Sequence, residues 1–340
     1  MNSPKMLRFK ILTILFALSY SAHCKSPIIT KDKQPKRIIR MCCAFGTHIK
    51  VFGLPFITLN KIVSPNNLGH HQYLNAKTEN NGIVYTEYAG FIDIAHVRDQ
   101  ADWTAYLNDK ISKLTKGESH KINLGKELGN KTLTITLPTN ISKKDILNIA
   151  GNIAYDLSTW HEIASWYGAT QAPILNEKFS SFSFEDNFSN ALGVFLGKQA
   201  ILSHHNYDIA MDSLILDYLD KAHAVKDNKS TEEAMLELAS DYWNPQKSIP
   251  NKKLLIERNY NISKTVQPIA FNIKTIQAIQ FPEQTSNNTP FKTIYTLSFN
   301  TGYRFPLKKI FPNKISRYIN TEDFSKIIDH IKKEALKIDQ

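Results

Sequence analysis

Across residues 91–114 apolar side chains recur at Ile92, Ala95, Trp103, Leu107, Ile111 and Leu114, mostly in helical steps, which predicts a long amphipathic helix. The stretch before it reads differently. Between residues 42 and 88 the apolar runs are short and broken by Gly53, Pro55, Pro65, Gly69 and Gly82, a pattern of strands and loops, with 82–88 as one strand. Residues 131–137 alternate Thr with apolar side chains and end at Pro138, so a half-exposed strand is expected there.

Ser142 and Asp145 form a capping box that opens the next helix, whose face is Ile146, Ile149, Ala150, Ile153, Leu157, Trp160 and Ala164, with Gly168 as its stop. Ser183 and Asp186 make a second box before Phe188, Ala191, Leu192, Phe195 and Leu196. Gly193 and Gly197, four apart, leave room for another backbone to pack closely. A fourth helix is expected over 207–222 and a fifth, capped by Ser230 and Glu233, running toward Trp243. Beyond Pro250 the pattern turns β-rich, with strands over 266–273 and 290–299, before a basic amphipathic helix over 321–338. The prediction is an α+β, predominantly helical fold: a central helical core between β-rich N-terminal and C-terminal segments, in one domain over 25–340.

Composition supports a folded chain. With 42% apolar and 21% charged residues, 13 Gly and 14 Pro, the sequence is neither disordered nor a Pro/Gly linker. Residues 1–24 read as a secretory signal: Lys5, Arg8 and Lys10, then an apolar run over 11–18 too short to span a bilayer, then small residues. The expected setting is therefore the periplasm or cell envelope. Lipid anchoring at Cys24 is disfavoured by the bulky His23 before it, and cleavage after Ser21 or Cys24 fits better. The formal charge of +11 suits peripheral association with anionic envelope surfaces, while no clustered basic reading element points to nucleic acid. The other cysteines, Cys42 and Cys43, are adjacent, which excludes a disulfide framework.

Candidate chemistry sits on the helices. Asp93, His96 and Asp99 follow one another at steps of three beside an apolar stripe, and buried polar groups there must find partners or hold something. His161 shares the stripe of its helix and Glu162 follows it, but Ser165 stands where a zinc-peptidase helix would carry its second histidine. A site built of His96, His161 and Glu185 as zinc ligands, with Glu162 as general base and Asp93, Asp99, Asp186 and Asn190 in support, meets the demand for three protein ligands and an open position. The competing enzyme reading makes Cys42 or Cys43 a nucleophile with His96 or His161 as base. The non-enzymatic reading takes the same residues as a structural hydrogen-bond network. His70, His71, His204 and His205 read as solvated or capping groups in loops, and the four tryptophans as core anchors.

The segments CCAFG, GFIDIAHVRDQADWT, WHEIASWYG and FSFEDNFSNALG together resemble a family of exported bacterial proteins, often lipoproteins, catalogued as a domain of unknown function. The resemblance spans about 40–250, leaves 251–340 as a C-terminal extension, and implies a Gram-negative envelope setting without implying an activity or a cofactor. Combined with the residues, it leads to the expectation of an envelope hydrolase dependent on zinc, with peptidoglycan, peptide and lipid as candidate substrates.

Overall fold

The computed structural model describes residues 33–35, 40, 44–52, 54–58, 61–168, 177–271 and 274–339. The signal segment, Cys24, Cys42 and Cys43 lie outside the described residues. In chain order the elements are strands β1 (Lys50–Val51), β2 (Leu54–Thr58), β3 (Ile83–Thr86) and β4 (Gly90–Asp93), helix α1 (Ile94–Ser112), strands β5 (Ser119–Lys126) and β6 (Gly129–Thr136), and helices α2 (Lys143–Trp166), α3 (Asp186–Leu202), α4 (Tyr207–Lys221) and α5 (Asn228–Glu237). Then come β7 (Thr265–Val266), β8 (Ile279–Gln280), α6 (Phe291–Ile294), β9 (Tyr295–Thr301), α7 (Leu307–Ile310), β10 (Tyr318–Asn320) and α8 (Phe324–Asp339). The fold is α+β, with small antiparallel sheets around the helices. No helix among the described residues is long and apolar enough to cross a membrane.

α2 is the axle of the molecule. It is buried nearly all round, from Asp145 to Trp166, because α1 and α3 cover one side and the four-stranded sheet β10-β9-β6-β5 covers another. The sheet presents Ile122, Leu124, Leu133, Ile135, Leu297 and Phe299 inward by strand alternation. Trp160 of α2 stacks on Phe299 with ring centroids 4.2 Å apart, and its indole N–H donates to the Glu127 carbonyl at 3.0 Å. β9 lies between β6 and β10, so the C-terminal segment supplies half of the sheet on which the helical core rests.

Several boundaries differ from the sequence pattern. Asp93 ends β4 and caps α1 with extended backbone, so the apolar run from Phe91 is a hairpin strand that turns into a helix. The Gly90 turn that precedes it has φ +68, and a Cβ there would meet the Ile269 carbonyl oxygen at 2.0 Å. Ser142 caps α2 as its spacing predicts, accepting from the Asp145 N–H at 3.0 Å. The other two boxes do not form. Glu185 occupies the cap position of α3 without a side-chain cap bond, since the Ser183 hydroxyl is spent on the Glu185 carboxylate, and Asp227 rather than Ser230 caps α5. The expected strand from Val266 shrinks to Thr265–Val266, and Phe291–Ile294 is a helical turn before β9.

α1 and α3 run parallel and touch through glycine. A Cβ at Gly193 would lie 2.3 Å from the Val97 carbonyl oxygen, and one at Gly197 would lie 2.7 Å from Ala101 Cα. Because Val97 and Ala101 increase in step with Gly193 and Gly197, both helices begin at the same end of the molecule. We expect Gly193→Ala to destabilise the fold by about 2–4 kcal/mol in urea unfolding, by forcing two backbones apart; a loss under about 0.5 kcal/mol would contradict this packing.

Candidate functional site

The shared start of α1 and α3 gathers the polar residues. Asp93 Oδ1 accepts from the Ala95 and His96 N–H groups at 2.7 and 3.4 Å, and the Asp93 N–H donates to Ser189 Oγ at 2.9 Å. The Ser189 hydroxyl in turn donates to the Glu185 carbonyl at 2.8 Å, which ties the first turn of α3 to the cap of α1. One turn into α1, His96 Nδ1 bonds Asn190 Oδ1 at 2.9 Å, and its Nε2 stands 3.2 Å from Asp186 Oδ1. Both helix N-termini place their positive ends at this point, which favours the carboxylates there.

The acids outnumber their cations. Asp93, Glu185 and Asp186 are 0%, 2% and 4% exposed, and Glu162 of α2 is 8% exposed. No lysine or arginine among the described residues pairs with Glu162, Glu185 or Asp186. Burial works against a charged His96, but Asp186, Asp93 and Glu162 outweigh it and raise its pKa to about 10. Burial pushes Glu185 up to about 8 against the pull of the Ser183 hydroxyl, and it lifts Asp186 well above the usual carboxylate range. His96 Nε2 and Asp186 Oδ1 face each other as an ion pair, while Glu185 Oε1 is buried without a hydrogen bond, a condition that costs about 1–3 kcal/mol.

One set of ligand atoms is close enough to share an ion. Asp93, His96 and Asp186 each offer an atom within 4.8 Å of the others, and this buried group could hold a metal. It is not the set that the sequence pattern assembled. Of His96, His161 and Glu185, only His96 belongs to it. His161 has its ring centroid 6.4 Å from that of His96 and turns Nδ1 to Glu127 Oε1 at 2.7 Å, and Glu127 also takes Lys131 Nζ at 2.9 Å. Glu185 stands next along the chain from Asp186 with one oxygen on Ser183 at 2.5 Å. Glu162 Oε2 accepts the Phe182 N–H at 2.6 Å, which fixes that carboxylate at the edge of the group. Asp93, Asp186 and Asn190, expected in support, are part of the same cluster.

Asp99 leaves it for a second network. Its Oδ1 accepts from Arg40 Nη1 at 2.7 Å, the same nitrogen donates to Asp102 at 2.9 Å, and Arg40 holds Glu79 with two bonds of 2.6 and 2.7 Å. His71 lies within 3.2 Å of both Glu79 and Asp102, and Arg98 Nη1 lies 4.0 Å from Glu79. His71 is thus 3% exposed rather than solvated, whereas His70, His204 and His205 are exposed as expected. Arg40, His71, Glu79, Asp102 and Glu127 carry no signal in the periodicity, because their partners are far away along the chain. Here Arg40, Arg98 and His71 answer the acids, so this network is balanced where the His96 cluster is not.

A narrow crevice leads to the cluster between α2, α3 and the 259–262 segment, past Ser158, Thr159, Asn187 and Asn190 to Glu162 and Asp186. Its volume of about 10 Å³ is that of a single water. A family model described as protein of unknown function, DUF4056, matches residues 30–272. The chain belongs to the DUF4056 family. No curated protein and no solved structure matches it. The DUF4056 span encloses Asp93, His96, Glu162, Glu185 and Asp186 and ends before β9, although β9 and β10 of this member complete the sheet.

The Arg40 network gives the fold a pH dependence whose sign follows from its shifts. Burial opposes ionisation of Glu79 and Asp102, but Arg40 and His71 outweigh it and hold both below their ordinary values, 4.5 and 3.8, so their contribution fades as pH falls through that range and below. Burial lowers His71, but Asp102 and Glu79 raise it above 6.5 on balance, so its contribution is complete below 6.5 and is lost as pH rises through the folded value. Asp99 works the other way, since burial lifts it to about 6 against the pull of Arg40 and stability is lost as pH rises from 3.8 toward 6, so the network should stabilise most near pH 4.5. Arg40→Met should cost about 3–5 kcal/mol in denaturant unfolding at pH 6 by stranding buried acids. A loss below about 1 kcal/mol would remove the network from the account.

Proposed function

We propose that this DUF4056 protein is an exported metal-dependent hydrolase in which Asp93, His96 and Asp186 hold a divalent cation. The observation that carries the reading is the concentration of buried acids around one histidine, with ligand atoms of Asp93, His96 and Asp186 within 4.8 Å of one another. A cation of charge two is the simplest compensation, and two carboxylates with one imidazole suit a first-row metal such as zinc. Three protein ligands leave a position for water. The bound ion would supply hydroxide near neutral pH by polarising that water. Glu162 lines the crevice and is pinned by the Phe182 N–H, so it is placed to take the proton.

The roles first read for His161 and Glu185 become adjacent ones. His161, oriented by Glu127, faces the same region as a positioning or proton-relaying group, and Glu185 supplies a proton reservoir beside Asp186. Export rests on the pattern of residues 1–24. A structural role for the cluster is the second reading, and the cross-bracing of α1 and α3 through Asp93, Ser189 and Glu185 favours it.

Asp186→Asn separates the two. Burial already holds the Asp186 carboxyl well above its ordinary range, so the neutral amide should leave the metal-free protein at least as stable. We expect about one equivalent of a first-row metal per chain by elemental mass spectrometry on protein purified without a metal-affinity tag, and its loss from a folded Asp186→Asn variant. No metal after incubation with zinc, or a variant destabilised by about 3 kcal/mol or more, would favour the structural reading.

A further inference from the structure

The stripe of α2 that ends at Glu162 begins outside the cluster. Asn152, Asp156, Thr159 and Glu162 follow at steps of four, three and three, which sets them along one line of the helix. The first three form the floor of a cleft of about 520 Å³, closed on the other sides by the 283–291 loop, Tyr295 and Thr296 of β9, and Asn320–Phe324 ahead of α8. Thr159 and Ile262 are walls both of this cleft and of the crevice that reaches Glu162 and Asp186. The large cleft and the narrow crevice therefore adjoin across these two side chains.

The chemistry of its walls selects a ligand. Asp156 and Lys264 satisfy each other at 2.5 Å, and Tyr295 adds its hydroxyl to Asp156 at 3.3 Å. Glu283 and Glu322 are exposed on the rim and make no ion pair among the described residues, against the single remaining cation Lys292. The mouth is thus acidic on a chain whose formal charge is +11. Gln284 and Thr296 offer side chains suited to amide groups, whereas Asn152 donates to the Asn148 and Pro282 carbonyls and Asn320 Oδ1 accepts from the Glu322 N–H. A stacked sugar would need an open aromatic face, whereas Phe291 and Phe324 are each 3% exposed.

We propose that this cleft is the substrate-binding subsite and that it takes a short stretch of peptide carrying a basic side chain. The proposal rests on the hydrolase reading for its purpose but not for its binding chemistry. From Asp156 to Glu162 the helix rises about 9 Å, close to the length of three extended residues, so a tripeptide can reach from the cleft to the crevice.

The test is calorimetric titration of trilysine, triglutamate, trialanine and a glucosamine trimer into the full-length protein, with the Glu283→Gln/Glu322→Gln double variant alongside. Both rim residues are exposed, so the double variant should fold as the parent does. Trilysine should bind better than the other probes and weaken about fivefold in the double variant, with a further fall at high salt. Trilysine binding to a parent protein that takes up no metal after incubation with zinc would sink the hydrolase reading and keep the cleft. Equal binding of trilysine and triglutamate, tighter binding of the glucosamine trimer, no binding at all, or a double variant indistinguishable from the parent would each overturn the proposal.

Discussion

The close approach of α1 and α3 is the contact on which the rest depends. Gly193 and Gly197 let two parallel helices meet backbone to backbone, and this brings Asp93 and His96 opposite Glu185, Asp186 and Asn190. A larger residue at either glycine would separate the helices and remove the acids from reach of the histidine. Burial follows from the same packing, since α2 and the sheet then close over the helix pair. The polar site is therefore a consequence of apolar geometry: a core that needs α1 and α3 in contact also forces their first turns together, and acids in those turns lose water.

Two buried polar groups flank α1, and they solve the same electrostatic problem differently. Around Arg40, opposite charges are present within the chain, and Glu79 and Asp102 are held ionised although burial lifts Asp99 to about 6. Around His96, burial instead drives Glu185 and Asp186 toward their protonated forms. Among the described residues no arginine pairs with Glu162, Glu185 or Asp186, and His96 is the cation that faces them. Protonation leaves Glu185 Oε1 without a partner, while Asp186 Oδ1 faces His96 Nε2 at 3.2 Å. An ion at the Asp93–His96–Asp186 centre would take the place of that pair.

Much of this was legible in the amino-acid sequence, and the failures have physical causes. The helical faces of α1, α2 and α3 are strongly periodic, and the Ser142 cap and the Gly193/Gly197 spacing both announce their roles. His96, Glu162, Glu185 and Asp186 stood out because polar groups on apolar faces are conspicuous. What periodicity could not give is which of them share a point in space. Asp93 lies on a strand end rather than on the helix, so its side chain falls off the line that a continuous helix would draw and reaches Asp186 instead of following Asp99. Asp99 was drawn away by Arg40, a partner 59 residues distant that no local pattern indicates. β5 was missed because its two inward apolar residues, Ile122 and Leu124, are embedded in Lys, Asn and Gly, and β9 acquires its place in the sheet only by pairing with β6 across the whole helical core.

The measurement that bears most directly on the central claim is anomalous diffraction from crystals of the mature protein equilibrated with zinc, recorded on both sides of the zinc edge. The account predicts one anomalous peak bonded to His96 Nε2 and to carboxylate oxygens of Asp93 and Asp186 at about 2.0–2.2 Å. A cluster without such a peak, in which His96 Nε2 instead hydrogen-bonds Asp186 and the carboxyl groups share protons, would contradict it.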